Sequence, residues 1–126
     1  MITSAKPLVG IVGPCGSGKS TLSNLLINNR INCRHIAQEH SYVPSMWKVI
    51  TNPDVLVYLQ VSYLNTIKRR NLNWTEAEYN EQLFRLRHAE EHADLLINTD
   101  QLSPDQVFDK VVSYLILTGY KTENEF

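Results

Sequence analysis

One glycine-rich segment constrains the fold of this chain more than any other feature. The segment from Gly13 to Ser20 reads GPCGSGKS and matches the pattern G-x-x-x-x-G-K-[ST] at every fixed position. An apolar run, Leu8–Val12, comes directly before it, and a leucine-rich stretch at residues 22–26 follows it. This order of apolar strand, glycine loop and amphipathic helix predicts the opening of an α/β fold with a parallel sheet.

Three further apolar segments predict the rest of the sheet. They are Cys33–Ala37, Val55–Val61 and Asp94–Asn98. A strand–helix–strand unit takes about 30 residues, so a chain of 126 residues has room for about four strands in one domain. We therefore predict a single domain over residues 1–126, with a three-layer α/β/α fold and a mostly parallel sheet of about four strands.

Helix-start signals lie between and after these strands. Ser62 begins a predicted short helix, and Thr75 opens a capping box before a long helix that runs through about His92. Ser103 caps the last predicted helix, which has a proline at its first position. The aromatic-rich residues 42–47 are expected to pack as a short helix between the second and third strands.

The composition narrows the classes of function. The chain carries 12 Lys and Arg against 13 Asp and Glu, which argues against a nucleic-acid or membrane-surface binder because such proteins need a basic surface. No apolar run approaches the roughly 20 residues of a membrane-spanning helix. Cys15 and Cys33 are too few for a disulfide scaffold and lack metal-site spacing. These features favour a cytoplasmic protein without a nucleic-acid or membrane partner.

The residue types of the glycine loop suit phosphate binding. Glycines let the backbone turn tightly, so that successive N–H groups point at phosphate oxygens. The helix N-terminus adds a partial positive charge. The Lys19 ammonium can reach the β- and γ-phosphates, and the Ser20 hydroxyl can ligate Mg²⁺. The alternative is a glycine-rich turn that matches the pattern by accident. Cys15 is expected to fill a variable loop position, and the alternative for it is a redox role, because the positive potential of the loop could lower the pKa of its thiol.

Polar side chains at the carboxyl ends of the strands are the next candidates, because ligands of open α/β sheets bind there. Glu39 follows the second predicted strand and is a candidate to hold metal-bound water or to act as a general base. The alternative is that Glu39 and His40 are surface loop residues. Thr99 and Asp100 follow the fourth strand. Gln60 ends the third strand, where an acid that helps hold Mg²⁺ would be expected.

Two groups of cations are candidates to contact a phosphoryl group. Arg69 and Arg70 end the helix after the third strand, and Arg85 and Arg87 lie on the next helix. A guanidinium over a transferring phosphoryl group would stabilise its developing charge. Alternatively, these cations complement a helix dipole and face solvent.

These residues together resemble a known family. The glycine loop, the segment VLVYLQVSYLNTIKRR (Val55–Arg70) and the closing segment Ala93–Leu115 are similar to the P-loop small-metabolite kinases, the group of nucleoside monophosphate kinase, shikimate kinase and adenylylsulfate kinase. The resemblance implies a P-loop fold, ATP and Mg²⁺ as cofactors, and a small-molecule phosphoryl acceptor.

The resemblance also implies the roles of particular residues. Arg70 would stand at a mobile lid over about residues 69–92, and Glu39 would lie on the acceptor side. Thr99 and Asp100 would lie near the nucleotide base, and Ser20 would ligate Mg²⁺. Lys19 and Arg70 would be the catalytic cations. The loop residues expected to bind the nucleotide are Gly13, Pro14, Cys15, Gly16, Ser17, Gly18, Lys19, Ser20 and Thr21.

The chain departs from the family in two ways. Gln60 replaces the usual aspartate. Only residues 38–54 separate the second and third predicted strands, without the strand–helix unit that builds much of the acceptor site.

Two functions therefore fit the sequence: an ATP-dependent kinase for an unknown acceptor, and a nucleotide-binding module without efficient catalysis. A GTPase is less favoured because no N-K-x-D motif is present. The edges of a four-stranded sheet also leave room for a homodimer.

Overall fold

Four parallel strands form the centre of the structure, a computed structural model that describes residues 6–70 and 73–120. The strands are β1 (Val9–Val12), β2 (Cys33–His35), β3 (Val55–Gln60) and β4 (Leu95–Asn98). Their order in the sheet is β2-β1-β3-β4, and every neighbouring pair is parallel. The predicted four-stranded parallel sheet is confirmed, although β2 ends at His35 rather than at Ala37.

In the described residues, four α-helices connect and follow the strands. They are α1 (Lys19–Asn28), α2 (Tyr63–Arg70), α3 (Glu76–His92) and α4 (Pro104–Leu117). The capping boxes predicted at Thr75 and Ser103 are both formed. The hydroxyl of Ser62 accepts a hydrogen bond at the start of α2, as expected for a cap. The described part of the chain contains no helix that is both long and apolar enough to span a bilayer.

The strands separate two apolar clusters that lie on opposite faces of the sheet. Along β3, Val57 and Leu59 pack with buried residues of α1 and α4, whereas Leu56 and Tyr58 pack with buried residues of α3. Alternate residues of a strand point to opposite faces, so helices cover both sides. The arrangement is consistent with three α/β/α layers, and it places the carboxyl ends of β1, β3 and β4 along one edge of the sheet.

A short helical segment does lie between β2 and β3, and its Trp47 packs in the core as predicted, but the segment is not an α-helix. The chain forms a 3₁₀ turn at Gln38–His40 and a π-helical turn at Trp47–Thr51 instead. The fully buried Gln38 amide explains the difference, because it donates to the carbonyl of Val43 and accepts from the N–H of Trp47. The side chain thus satisfies backbone groups that an α-helix would have paired with each other.

Candidate functional site

The glycine loop leads from β1 into the N-terminus of α1. Gly18 is the N-cap of α1, with φ of 100°, and contributes no side-chain cap. The first N–H groups of a helix have no intrahelical partner, so this end of α1 offers hydrogen-bond donors. A Cβ atom built at Gly18 would meet no other atom within 4 Å, which shows that the space before these donors is open.

The side chain of Lys19 lies across the loop and pairs with Glu39. Its Nζ donates to the carbonyl oxygens of Gly13 at 2.7 Å and Pro14 at 3.1 Å. It also lies 3.1 Å from Glu39 Oε2, and the two side chains are only 6% and 4% exposed. Two residues that the sequence made candidates separately are therefore joined in one buried ion pair.

Two buried oxygens near this pair have no hydrogen-bond partner among the described residues. They are Ser17 Oγ and Glu39 Oε1. Nearly all buried polar atoms in proteins are paired, so an unpaired one indicates a place where a ligand, ion or water completes the structure. The exposed Ser20 lies in the first turn of α1 and borders the same space. The donor-rich helix end, the ammonium and this hydroxyl fit a nucleoside phosphate with Mg²⁺.

A cavity of about 540 Å³ lies in front of the loop, within the usual range of small-molecule sites. Its polar lining comes from the loop and from residues after other strands, whereas Leu102, Pro104 and Val107 form an apolar wall. The candidate residues that it brings together are Cys15, Gly16, Ser17, Gly18, Lys19, Ser20, Thr21, Glu39, Arg70 and Thr99. Gly13 and Pro14 do not line the cavity, but their carbonyl oxygens accept hydrogen bonds from the ammonium of Lys19.

Arg69 links the loop to the end of β4. Its guanidinium donates to the backbone carbonyl of the buried Thr99 and, at 2.8 Å, to the Thr99 hydroxyl. The guanidinium also lies 3.5 Å from the carbonyl oxygen of Gly16. Arg70, the favoured arginine from the sequence, lines the cavity beside it. The helix α3 makes up most of the expected lid segment, and it packs on the sheet through Leu86. Residues 71–72 of that segment lie outside the described residues.

Asp100 is placed differently from its neighbour Thr99. It lines a second cavity, beside β4 and α4, and its carboxylate accepts a hydrogen bond from the N–H of Ser62 at 2.9 Å. Partial burial would raise the pKa of this carboxyl, but hydrogen bonds from Ser62 and Asn65 and the charge of Arg69 outweigh it and lower the pKa. The carboxylate thus joins the start of α2 to the end of β4.

The other candidate polar residues lie outside this cavity. Gln60 donates to Glu90 Oε2 at 3.4 Å. Arg85 pairs with Glu81 and donates to the backbone carbonyl of Glu39 at 3.4 Å. Arg87 stacks on the ring of Phe84, with 3.9 Å between its Cζ and the ring centre. Arg87 is exposed, as the solvent-facing alternative predicts, whereas the side chain of Arg85 is only 19% exposed and contacts the protein instead.

Two residues of the candidate site were not predicted from the sequence. Gln82 of α3 accepts from the N–H of Cys15 at 2.9 Å and donates to its Sγ at 3.2 Å, across 67 residues of sequence. Gln82 lies four residues before the buried Leu86, so it falls on the apolar face of α3. A polar amide on an apolar face was the sequence signal that could have identified this residue. His35 also lines the cavity, and its pKa is lowered by burial and by the charge of Lys19, with Glu39 opposing.

Comparison with known proteins finds no family model that matches this chain and no curated protein that matches its sequence. The fold and site therefore define the class by themselves: an α/β protein with an all-parallel sheet and a cavity of mixed polar and apolar lining at the N-terminus of its first helix. The cavity contains a cation and an acid in direct contact. Chemically, this arrangement can bind an anion and can accept a proton beside it.

Proposed function

We propose that this chain is a P-loop small-molecule kinase that binds ATP and Mg²⁺ and transfers a phosphoryl group to a small-molecule acceptor. The observation that carries the proposal is the buried contact of 3.1 Å between Lys19 and Glu39 at the N-terminus of α1. A phosphate-binding lysine and an acid that can take a proton from an acceptor hydroxyl are both needed for this chemistry, and here they share one cavity.

Nucleotide binding is supported by both the polar and the apolar residues that line the cavity. The N–H groups that follow Gly18 and the Lys19 ammonium suit the triphosphate, and the Ser20 hydroxyl suits its Mg²⁺. The apolar wall of Leu102, Pro104 and Val107 suits a base. ATP is favoured over GTP because the guanine motif is missing from the sequence.

Catalysis would change the partners of Lys19. When phosphate oxygens are present, the ammonium exchanges its carbonyl partners at Gly13 and Pro14 for stronger, charged acceptors. Glu39 then takes the proton of the acceptor hydroxyl. Arg70 lines the cavity and would stabilise the charge that develops on the transferring group.

A nucleotide-binding module without efficient catalysis is the second candidate. Gln60, the residue where an acid would help to hold Mg²⁺, is neutral and donates to Glu90 on α3. Glu39 is also engaged by Lys19, so its availability as a base depends on nucleotide binding. Such a module would bind ATP without acceptor-dependent turnover.

Acceptor-dependent release of ADP tests the proposal. The protein is incubated with Mg-ATP and a panel of metabolites and nucleotides bearing hydroxyl, carboxyl or phosphate acceptors. Kinase activity predicts ADP release that requires one acceptor class and falls about 10²–10⁴-fold in Glu39→Gln, as expected for loss of a general base. Glu91→Gln, the same change at an exposed position of α3, is the control. ATP binding without acceptor-dependent release would favour the module.

A further inference from the structure

A thiol, an imidazole and a carboxylate lie together beside the glycine loop, and the proposed function uses only one of them. Cys15 Sγ lies 3.8 Å from His40 Nε2, which in turn lies 3.7 Å from Glu39 Oε2. One ligand atom from each residue lies within 4.8 Å of the others. We propose that Cys15, Glu39 and His40 form a Zn²⁺ site.

The distances between the three groups suit a tetrahedral ion. With Zn–S of about 2.3 Å and Zn–N of about 2.0 Å, sulfur and nitrogen on one tetrahedral zinc are about 3.5 Å apart. The observed 3.8 Å between Cys15 and His40 needs little adjustment. Three protein ligands leave a fourth position for water, and the 59% exposure of the His40 side chain gives the ion a path from solvent.

Glu39 supplies the independent sign that something completes this cluster. Its side chain is 4% exposed, and its Oε1 has no hydrogen-bond partner in the described residues. Its Oε2 is fixed by Lys19 at 3.1 Å, which is the kind of outer hydrogen bond that orients a metal-ligating carboxylate. A cation shared by both oxygens of this carboxylate would satisfy the unpaired Oε1 and would also contact Oε2, the oxygen that lies 3.7 Å from His40 Nε2.

The side chain of Cys15 has a fixed orientation, which a residue that only filled a variable loop position would not need. The buried amide of Gln82 accepts from the Cys15 N–H and donates to its Sγ at 3.2 Å. The N–H donor fixes the position of the sulfur atom, as outer hydrogen bonds do for metal ligands. Gln82 is therefore a positioning residue for the site.

Metal binding exchanges a proton for a metal–sulfur bond. Zn²⁺ bonds to the Cys15 sulfur, the thiol proton leaves to the buffer, and no redox change occurs. Occupation would also hold Glu39 away from an acceptor, so Zn²⁺ would inhibit phosphoryl transfer. This consequence rests on the proposed function, whereas the site itself does not.

Zinc titration of the reduced, nucleotide-free full chain tests the site. Calorimetry is expected to give one Zn²⁺ per chain with release of a proton, and Co²⁺ is expected to give a thiolate charge-transfer band. Gln82→Leu should weaken the affinity roughly 10–100-fold, the usual effect of losing an outer partner, and Cys15→Ser and His40→Gln should weaken it further. Circular dichroism checks that each variant is folded.

Matched substitutions separate this site from other thiols and histidines. Cys33→Ser changes the other cysteine, and His92→Gln changes a histidine that stacks on His88. Both should bind Zn²⁺ as the wild type does. The site is disproved if the wild type binds Zn²⁺ no more tightly than Cys15→Ser, or if Cys33→Ser loses the binding equally. Because no nucleotide is present, either result leaves the kinase proposal to its own test.

Discussion

The buried pair of Lys19 and Glu39 makes a strong prediction for stability. Lys19→Met keeps most of the apolar stem but leaves the Glu39 carboxylate, which is 4% exposed, without its charged partner. Removing one partner of a buried ion pair costs about 3–5 kcal/mol. At about 4 °C per kcal/mol for a domain of this size, the melting temperature should fall by roughly 12–20 °C.

A double-mutant cycle isolates the pair from other effects. Glu39→Gln should cost less, about 1–3 kcal/mol, because Lys19 keeps the carbonyls of Gly13 and Pro14 as acceptors. The double variant, which buries no unpaired carboxylate, should lose less than the sum of the two, with a coupling energy of about 2 kcal/mol.

Urea denaturation followed by tryptophan fluorescence and circular dichroism measures these values. Lys48→Met, the same change at an exposed lysine, should leave the free energy of unfolding nearly unchanged. A cost of less than about 1 kcal/mol for Lys19→Met, or costs at positions 19 and 39 that simply add, would show that this ion pair does not stabilise the fold.

Three further predictions concern the loop and the pH dependence of stability. Gly16→Ala should destabilise the fold by about 1–2 kcal/mol in urea, because φ is 86° and the new Cβ would lie 3.1 Å from Thr66 Cα. The pKa of His35 is lowered by burial and by Lys19, so the unfolded chain binds more protons below its ordinary value of 6.5. Stability should therefore fall as the pH is lowered through 6.5, and it should fall less steeply in His35→Gln. The pKa of Asp100 is lowered from 3.8, so its contribution is present above that pH and is lost on further acidification, a loss that Asp100→Asn should remove.

The local features of the fold could be predicted from the sequence because they depend on neighbouring residues. Apolar runs marked the four strands, and the capping boxes at Thr75 and Ser103 marked two helix starts. The connection between β2 and β3 could not be predicted in this way. Its form depends on the buried Gln38 amide, which binds backbone groups that lie several residues away.

The site was predictable as a set of residues but not as a set of contacts. The loop pattern identified Lys19, and the strand-end rule identified Glu39, yet neither indicated that the two would be paired. Gln82 reaches Cys15 across 67 residues, a contact that no local pattern encodes. The strand-end rule also could not separate Thr99, which lines the cavity, from Asp100, which lines another.

The most direct test of the account is whether the glycine loop binds Mg-ATP. Calorimetry should show one ATP per wild-type chain, and ATP at a hundredfold excess over Kd should stabilise the fold by about 2.7 kcal/mol. Gly18→Val places a side chain in the open space at the start of α1 and should abolish both effects. Gly119→Val, at another glycine with positive φ, should retain them. Equal responses of the wild type and Gly18→Val to Mg-ATP, or no binding by the wild type, would contradict the account.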